Sequence, residues 1–490
     1  MDVEDVIEQI RSGPRGARIG AFFDFDGTLI DGYSSVALYR HRAKSLQINP
    51  MEIVHGVRHA RRGEPMTEDE FRELVELGIA GWAGRAESDI LEIGENLWNT
   101  EIAGMLVHET FRLVKAHQRM GHTVVLATSA TRLQVAPLAN ELGIEHILCT
   151  ELEVEQHLLT GRVAGRPPWG EGKRAAVTAF AKRKRLNRQA SFAYGNGDED
   201  IAYLNTVGHP VAVNPQPLLA AEAAKRGWSV LTLSGRPGRL DPLPALRTTA
   251  MYGTLVGSVV AGLGVSALTG DGRRGKDFAL EVFGVLSGPL GDVQVNVTGQ
   301  ENVWSDRPAV FLINHQSALI DLVVVTQVLR NGVTAVAKKE VKDIPVFGRV
   351  TTWLDFAYVD RGNTVQAMDA MCEAVDRLRD GISIVISPEG TRSYTPQVGP
   401  FKKGAFHLAW QAGVPIVPIV IRNAGQLMWR GATVAHSGVV DVHVHEPIPT
   451  TGWTKTDLDD TVERVHKLYV DTLSDWAAIT RPDESTRSSR

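Results

Sequence analysis

The chain has 490 residues, 43% of them hydrophobic and 22% charged, and a formal net charge of −5. Such a composition excludes a disordered protein and predicts about two to four folded domains. The negative balance argues against general nucleic-acid binding. Cys149 and Cys372 lie far apart and match no zinc spacing, as expected of structural thiols in a reducing compartment. Met1 to Val6 is acidic and no apolar core follows, which predicts no secretory signal and a chain that begins in the cytoplasm.

Ile19 to Phe23 is a short apolar run that ends in Asp24-Phe25-Asp26-Gly27-Thr28. Alternation along a strand places Asp24 and Asp26 on one side of its end. Two close carboxylates there can share one Mg²⁺, which removes their mutual repulsion. The first can then attack phosphorus and the second can handle the proton. Candidate helices follow at 35–45, 67–80, 86–99 and 101–117. Val124 to Thr128 reads as a strand ending in a hydroxyl, and Gly172-Lys173 opens a helical stretch with a cation. Phe192 to Asp200 is an apolar strand that runs into Gly195-Asn196-Gly197-Asp198-Glu199-Asp200.

These motifs, in this order over residues 15–233, resemble the haloacid-dehalogenase superfamily of phosphohydrolases, and residues 149–163 resemble its phosphoserine-phosphatase-like branch. The resemblance implies a Rossmann-like domain with a helical cap at about 34–118 that closes over small substrates. It implies Asp24 as nucleophile, Asp26 as acid/base, and Thr128 and Lys173 on the phosphate. Mg²⁺ is expected on Asp24, Asp26, Asn196 and Asp200. Asn196 stands where the family carries Asp, so the ion should bind less tightly, and Asp198 or Asp200 is expected to compensate.

Residues 234–247 are rich in Gly, Pro and Arg and read as a linker. Thr248 to Thr269 then runs 22 residues without a charge, contains Gly253-xxx-Gly257, and is flanked by Arg247, Arg273, Arg274 and Lys276. It is long enough to cross or dip into a bilayer, and the cations suit an anionic leaflet. Phe278–Leu290 is too short to span and fits an interfacial helix, so 248–291 is read as a membrane-associated segment.

Beyond residue 292 apolar strands alternate with helical stretches, which predicts an α/β domain to about residue 480 and a polar tail at 481–490. Expected strands are 309–313, 334–337, 357–359, 382–386, 416–421 and 439–444, with an amphipathic helix over 457–479. The first strand runs straight into Asn314-His315, with Asp321 beyond. Histidine can take a proton from an alcohol near neutral pH, and an Asp on its other nitrogen fixes the tautomer. Phe356 to Arg361, Ser387 to Ser393 (Ser-Pro-Glu-Gly-Thr-Arg-Ser) and Val414-Pro415-Ile416-Val417 complete the set. Arg361 and Arg392 are forks for an anionic acceptor, and the Gly390-Thr391 turn offers backbone amides to the same anion. Lys338, Lys339, Lys402 and Lys403 form a cationic rim suited to phosphates.

The ordered motifs resemble the 1-acylglycerol-3-phosphate acyltransferases. That resemblance implies His315 as base, Asp321 as its orienter, and Glu389 and Gly390 in the acceptor site beside Arg361, Thr391 and Arg392. It implies acyl-CoA or acyl carrier protein as donor and lysophosphatidate as acceptor. Five residues separate His315 from Asp321, one more than the family pattern, so either a one-residue bulge at the strand–helix turn restores the contact, which is the expectation, or the dyad is impaired. Along its whole length the chain is similar to actinobacterial proteins that join the two parts. The expectation is a bifunctional enzyme of lipid metabolism on the cytoplasmic face of the cell membrane, with homodimerisation left open. One rival keeps only the phosphatase, with a lipid-docking second half. The other keeps only the acyltransferase, with an inactive first half.

Overall fold

Short all-apolar runs become buried strands in both halves of the chain, because each is covered on two faces. The computed structural model describes residues 2–44, 66–233, 242–360, 364–454, 457–474 and 476, and the chain divides into two units, Met1–Gly238 and Arg239–Arg490.

The first unit is built on seven strands: β1 Gly20–Phe23, β2 Thr123–Thr131, β3 His146–Glu155, β4 Leu158–Ala164, β5 Phe192–Gly195, β6 His209–Val213 and β7 Ser229–Leu231. Their order is β4-β3-β2-β1-β5-β6-β7, parallel except for the β3–β4 hairpin. β1 therefore lies where the chain changes direction across the sheet, the place where open α/β sheets bind ligands beyond their strand ends. Helices Ser34–Lys44, Glu68–Ile79 and Glu87–Thr100 form an insert after β1. Thr67 and Glu70 cap the second of these reciprocally. The insert rests on the hairpin, where Leu159 accepts from Gly84 at 2.8 Å and donates to Arg85 at 2.9 Å. It also rests on helix Arg132–Leu142, where a Cβ on Gly94 would lie 2.1 Å from the Leu133 carbonyl oxygen. The helix His108–Arg119 packs instead on β2 and on the N-terminal helix Val3–Ser12. The expected cap limit of 118 is thus too late, because this helix is the crossover that carries the chain from β1 to β2.

The second unit has strands β8 Val293–Thr298, β9 Val310–Ile313, β10 Val333–Lys338, β11 Ala357–Val359, β12 Ser383–Ile386, β13 Ile416–Arg422 and β14 Gly438–Val444. Their order is β11-β10-β12-β9-β13-β14-β8, with only the β13–β14 pair antiparallel. Fully buried β9 is central, between β12 and β13. β8 is a strand that sequence reading missed; its Val-Gln-Val-Asn-Val alternation was the available signal.

A helix over Pro242–Thr269 turns through Gly270 into a second, Gly272–Gly291. The first starts six residues ahead of the charge-free run, inside the expected linker. The two helices touch backbone to backbone at Gly262 and Gly275, where a Cβ on Gly262 would lie 2.4 Å from the Gly275 carbonyl oxygen. Gly253 and Gly257 face open space. Only 22% of the most apolar stretch of the first helix is buried, and Val256, Val260, Leu263, Phe278, Val285 and Leu286 are exposed. The sequence assigns the flanking cations to an anionic leaflet, but in the structure each is ion-paired. Arg247 pairs with Asp292 at 2.9 Å, Arg273 with Asp277 at 3.0 Å, Arg274 with Asp271 at 3.4 Å, and Lys276 with Asp355.

A buried hydrogen-bonded chain supports the end of β1. His117 Nε2 lies 2.8 Å from the Tyr194 hydroxyl and its Nδ1 2.8 Å from His122 Nδ1, while His122 Nε2 donates to the Pro14 carbonyl at 2.9 Å. Tyr194 stacks on Phe23 at 4.3 Å. The chain cannot close with both imidazoles protonated, because two Nδ1–H groups would then face each other, and burial holds both below their ordinary value of 6.5. Unfolded histidines take up protons near that value and these two only at lower pH, so their contribution is complete above it and is lost as pH falls below it. Thermal unfolding should therefore show the first unit losing stability between about pH 7 and about pH 5. His117→Phe should flatten that slope, and a wild-type profile without the slope contradicts the assignment.

Candidate active sites

In the second unit, β9 delivers its polar end to a fixed place. Asn314 Nδ2 donates to the Ile421 carbonyl and its Oδ1 accepts the Ile421 N–H, both at 2.7 Å. The side chain thus extends the pairing with β13 past the last strand residue. His315 comes next, and its Nδ1 lies 2.6 Å from Asp321 Oδ2. The same oxygen accepts the N–H groups of Gln316 at 2.9 Å and Ser317 at 3.0 Å. The extra residue is absorbed at this point. Ser317 caps helix Ala318–Leu329, and Asp321 sits in the first turn facing back over the loop. Asp321 is almost fully buried, whereas the His315 side chain keeps 30% of its surface. An Asp on Nδ1 holds that proton and leaves Nε2 with its lone pair, the state a general base needs.

The Ser387–Ser393 turn follows β12 and clamps the same loop. Glu389 is buried; Oε1 accepts the His315 N–H at 2.9 Å, and Oε2 accepts the Ser393 hydroxyl and the Gly399 N–H, each at 2.7 Å. Burial raises the Glu389 carboxyl, and the three donors offset this. Its oxygens are therefore committed to holding His315 in place, and the expected acceptor contact through Glu389 is replaced by a positioning role. Gly390, at φ 73, spends its N–H on the Ser387 carbonyl at 3.1 Å, so that amide is not open to an anion either. Thr391 is exposed on the turn. Arg392 is half-buried and donates to the Arg430 carbonyl at 2.9 Å, which brings in an arginine that sequence reasoning missed. Arg430 lies in a Trp-Arg-Gly loop, and no spacing signalled it. Arg361 lies outside the described residues. Of the expected lysine rim, Lys339 pairs with Asp360 at 3.1 Å and Lys403 with Asp459 at 2.5 Å.

In the first unit, Asp24 follows β1 and donates its N–H to the Tyr194 carbonyl at 2.9 Å. Lys173, in the first turn of helix Glu171–Arg183, bridges Asp24 Oδ1 at 2.7 Å and Asp200 Oδ1 at 2.6 Å, all three buried. Burial disfavours the ammonium, but Asp200 and Asp24 outweigh it and hold Lys173 above the ordinary lysine range. Asp26 accepts the Ser34 N–H at 2.6 Å and the Ser34 hydroxyl at 3.2 Å. Burial pushes its carboxyl up to about 6, within range of proton transfer near neutrality. Thr128 is buried on β2. Asn196 Oδ1 accepts the Thr28 hydroxyl at 3.3 Å.

Asp200 is a correction. Its second oxygen accepts the N–H groups of Asn196 at 3.1 Å and Gly197 at 3.2 Å, so both oxygens are spent and it braces Lys173 rather than facing a metal. Asp198 accepts the Leu219 N–H at 2.8 Å and does not compensate for Asn196 either. Glu199, which sequence reasoning passed over, lies beside them; burial and then Asp200 push its carboxyl up to about 7, against a hydrogen bond from its own backbone N–H. A cavity of about 810 Å³ borders this site, lined by Asp198, Glu199, Trp169 and Glu171, and one of about 790 Å³ opens in the second unit; none of Asp24, Lys173, His315 or Asp321 lines either.

Residues 294–422 match the acyltransferase family, and residues 21–205 match the haloacid dehalogenase-like hydrolases. An uncharacterized acyltransferase of Schizosaccharomyces pombe is 34% identical over 218 residues, 44% of this chain and 76% of its own. A phosphoserine phosphatase of Mycobacterium tuberculosis is 30% identical over 251 residues, 50% of this chain and 81% of its own. The chain belongs to both families. The 1-acyl-sn-glycerol-3-phosphate acyltransferase of Saccharomyces cerevisiae is 34% identical over 186 residues, 37% of this chain and 61% of the yeast protein. The acyltransferase match brackets β9, the Ser387–Ser393 turn and β13, and the hydrolase match brackets β1 through β5.

The geometry of the acyltransferase unit makes Glu389 testable without substrate. Glu389→Gln replaces one acceptor oxygen with a donor that faces other donors. The second unit should lose about 1–3 kcal/mol of stability, read by denaturant unfolding. An unchanged midpoint would contradict the clamp.

Proposed function

We propose that the acyltransferase unit makes phosphatidate from 1-acylglycerol 3-phosphate and an acyl thioester of coenzyme A or of acyl carrier protein, at the cytoplasmic face of the cell membrane. The observation that carries this reading is the 2.6 Å contact between His315 Nδ1 and Asp321 Oδ2. His315 Nε2 takes the proton of the acceptor hydroxyl as its oxygen attacks the thioester carbonyl carbon. The tetrahedral intermediate collapses with loss of the thiolate, which recovers that proton from His315, and an ester remains. Asp321 stabilises the transient imidazolium. Arg392, with Arg361 and the Thr391 turn, holds the acceptor phosphate. The exposed apolar side of the helical hairpin supports membrane docking, and lipid acceptors reach the site from that surface.

The hydrolase unit, in this reading, cleaves a phosphomonoester. An Asp24 oxygen attacks phosphorus, the ester P–O bond breaks, and Asp26 protonates the leaving alkoxide. Water then attacks the aspartyl phosphate, Asp26 takes its proton, and inorganic phosphate leaves. Thr128 and Lys173 hold the phosphoryl oxygens. Mg²⁺ is implied by the family, and the donors present suit it only in part. Asp24, the Asp26 carbonyl and Asn196 Oδ1 would hold the ion, one carboxylate fewer than the expected set with Asp200. Once bound it would neutralise charge between Asp24 and the phosphate.

Asp321→Asn should cut kcat for acyl transfer by about a hundredfold or more, with thermal stability within about 2 kcal/mol of wild type. Retention of full activity would remove Asp321 from the mechanism. Asn196→Asp should tighten Mg²⁺ binding by about tenfold, about 1.4 kcal/mol, measured by calorimetry. An equal or weaker affinity would place the ion elsewhere.

A further inference from the structure

Two half-buried arginines, Arg392 and Arg430, lie against each other in the acyltransferase unit with no negative partner between them. Arg392 Nη1 donates to the Arg430 carbonyl and Arg430 Nη1 to the Arg392 carbonyl, both at 2.9 Å. The Arg430 guanidinium lies 4.0 Å from the centre of the Tyr394 ring, and the Tyr394 carbonyl accepts the Trp429 Nε1–H at 3.1 Å. These contacts hold two like charges together. Among the described residues neither guanidinium forms an ion pair. Burial, and then the neighbouring Arg430, push Arg392 below the ordinary arginine range. The acid that acts on Arg392 is Asp321, whose Oδ2 is taken by His315 and two amides and whose buried Oδ1 has no hydrogen-bond partner, so it forms no ion pair with Arg392. A confined pair of cations of this kind is relieved by an anion, and each arginine keeps further N–H donors for one.

The pair is also coupled to the base. Ser393, next to Arg392, donates its N–H to the His315 carbonyl at 2.8 Å, and its hydroxyl reaches the Glu389 carboxylate that holds the His315 amide.

We propose that Arg430 is a second anion-binding residue of the acceptor site, forming with Arg392 a two-guanidinium clamp that selects a phosphomonoester dianion over a phosphodiester. The inference rests on the acyltransferase reading above and adds a determinant of acceptor choice. A terminal phosphate offers three oxygens and up to two charges, with its second ionisation near pH 6; a diester offers two oxygens and one charge at all working pH values. Two forks match the first and are half-used by the second.

The test compares wild type, Arg430→Gln and Arg430→Lys with lysophosphatidate and lysophosphatidylglycerol as acceptors in the same micelles, over about pH 5.5 to 8. Wild type should prefer lysophosphatidate, and its KM for that acceptor should rise on acidification through the second phosphate ionisation. Arg430→Gln should raise that KM by about tenfold or more with a small change in kcat, flatten its pH dependence, and leave the KM for the acyl donor alone. Arg430→Lys should recover part of the loss. The clamp is overturned if wild type accepts both lipids equally, or if Arg430→Gln affects both acceptors and the donor alike, which would mark a structural residue. In either of those cases acyl transfer itself still stands. If wild type acylates no lysophospholipid, the acyltransferase reading falls and the clamp falls with it.

Discussion

Three hydrogens converge on a single oxygen, Asp321 Oδ2: the His315 Nδ1–H and the amides of Gln316 and Ser317. A buried carboxylate is costly unless its lone pairs are filled. Here the filled oxygen is Oδ2, while the buried Oδ1 has no hydrogen-bond partner, and the three bonds to Oδ2 fix the path of the chain from β9 into the next helix. That path in turn sets the tautomer and direction of the imidazole. Glu389 repeats the device from the other side by taking the His315 amide, the Ser393 hydroxyl and the Gly399 amide. His315 is thus held between two buried acids that follow different strands.

The hydrolase unit solves a similar problem with a buried cation. Lys173 joins Asp24 to Asp200, and Asp200 binds the Asn196–Gly197 backbone through its other oxygen. Both sites sit beyond the carboxyl ends of central parallel strands, where loops from several strands meet. In each, a residue that looks like a ligand or a substrate contact from the sequence is used to hold another residue. Glu389 and Asp200 are the two cases. Buried carboxylates are drawn to nearby backbone amides, and amide direction is not written in residue identity.

What could be read from the chain follows from this. β9, β12 and β13 were legible as apolar runs because both faces of a parallel sheet are buried. β8 was missed because it alternates at the sheet edge. The His315–Asp321 contact could be anticipated only as a requirement, since its spacing exceeds the usual pattern and only the Ser317 cap makes it close. Arg430 was invisible, because its pairing with Arg392 is made by two loops 38 residues apart. The leaflet role given to Arg247, Arg273, Arg274 and Lys276 misread cations that fold back onto Asp292, Asp277, Asp271 and Asp355. The apolar hairpin between them remains exposed.

The central claim is that the lengthened His–Asp spacing still yields a working base. The most direct measurement is acyl transfer from labelled acyl-CoA to lysophosphatidate in liposomes, wild type beside His315→Ala. The account predicts phosphatidate from wild type and a loss of about a hundredfold or more in the variant. Equal rates in the two proteins, or no transfer by wild type with any lysophospholipid, would contradict it.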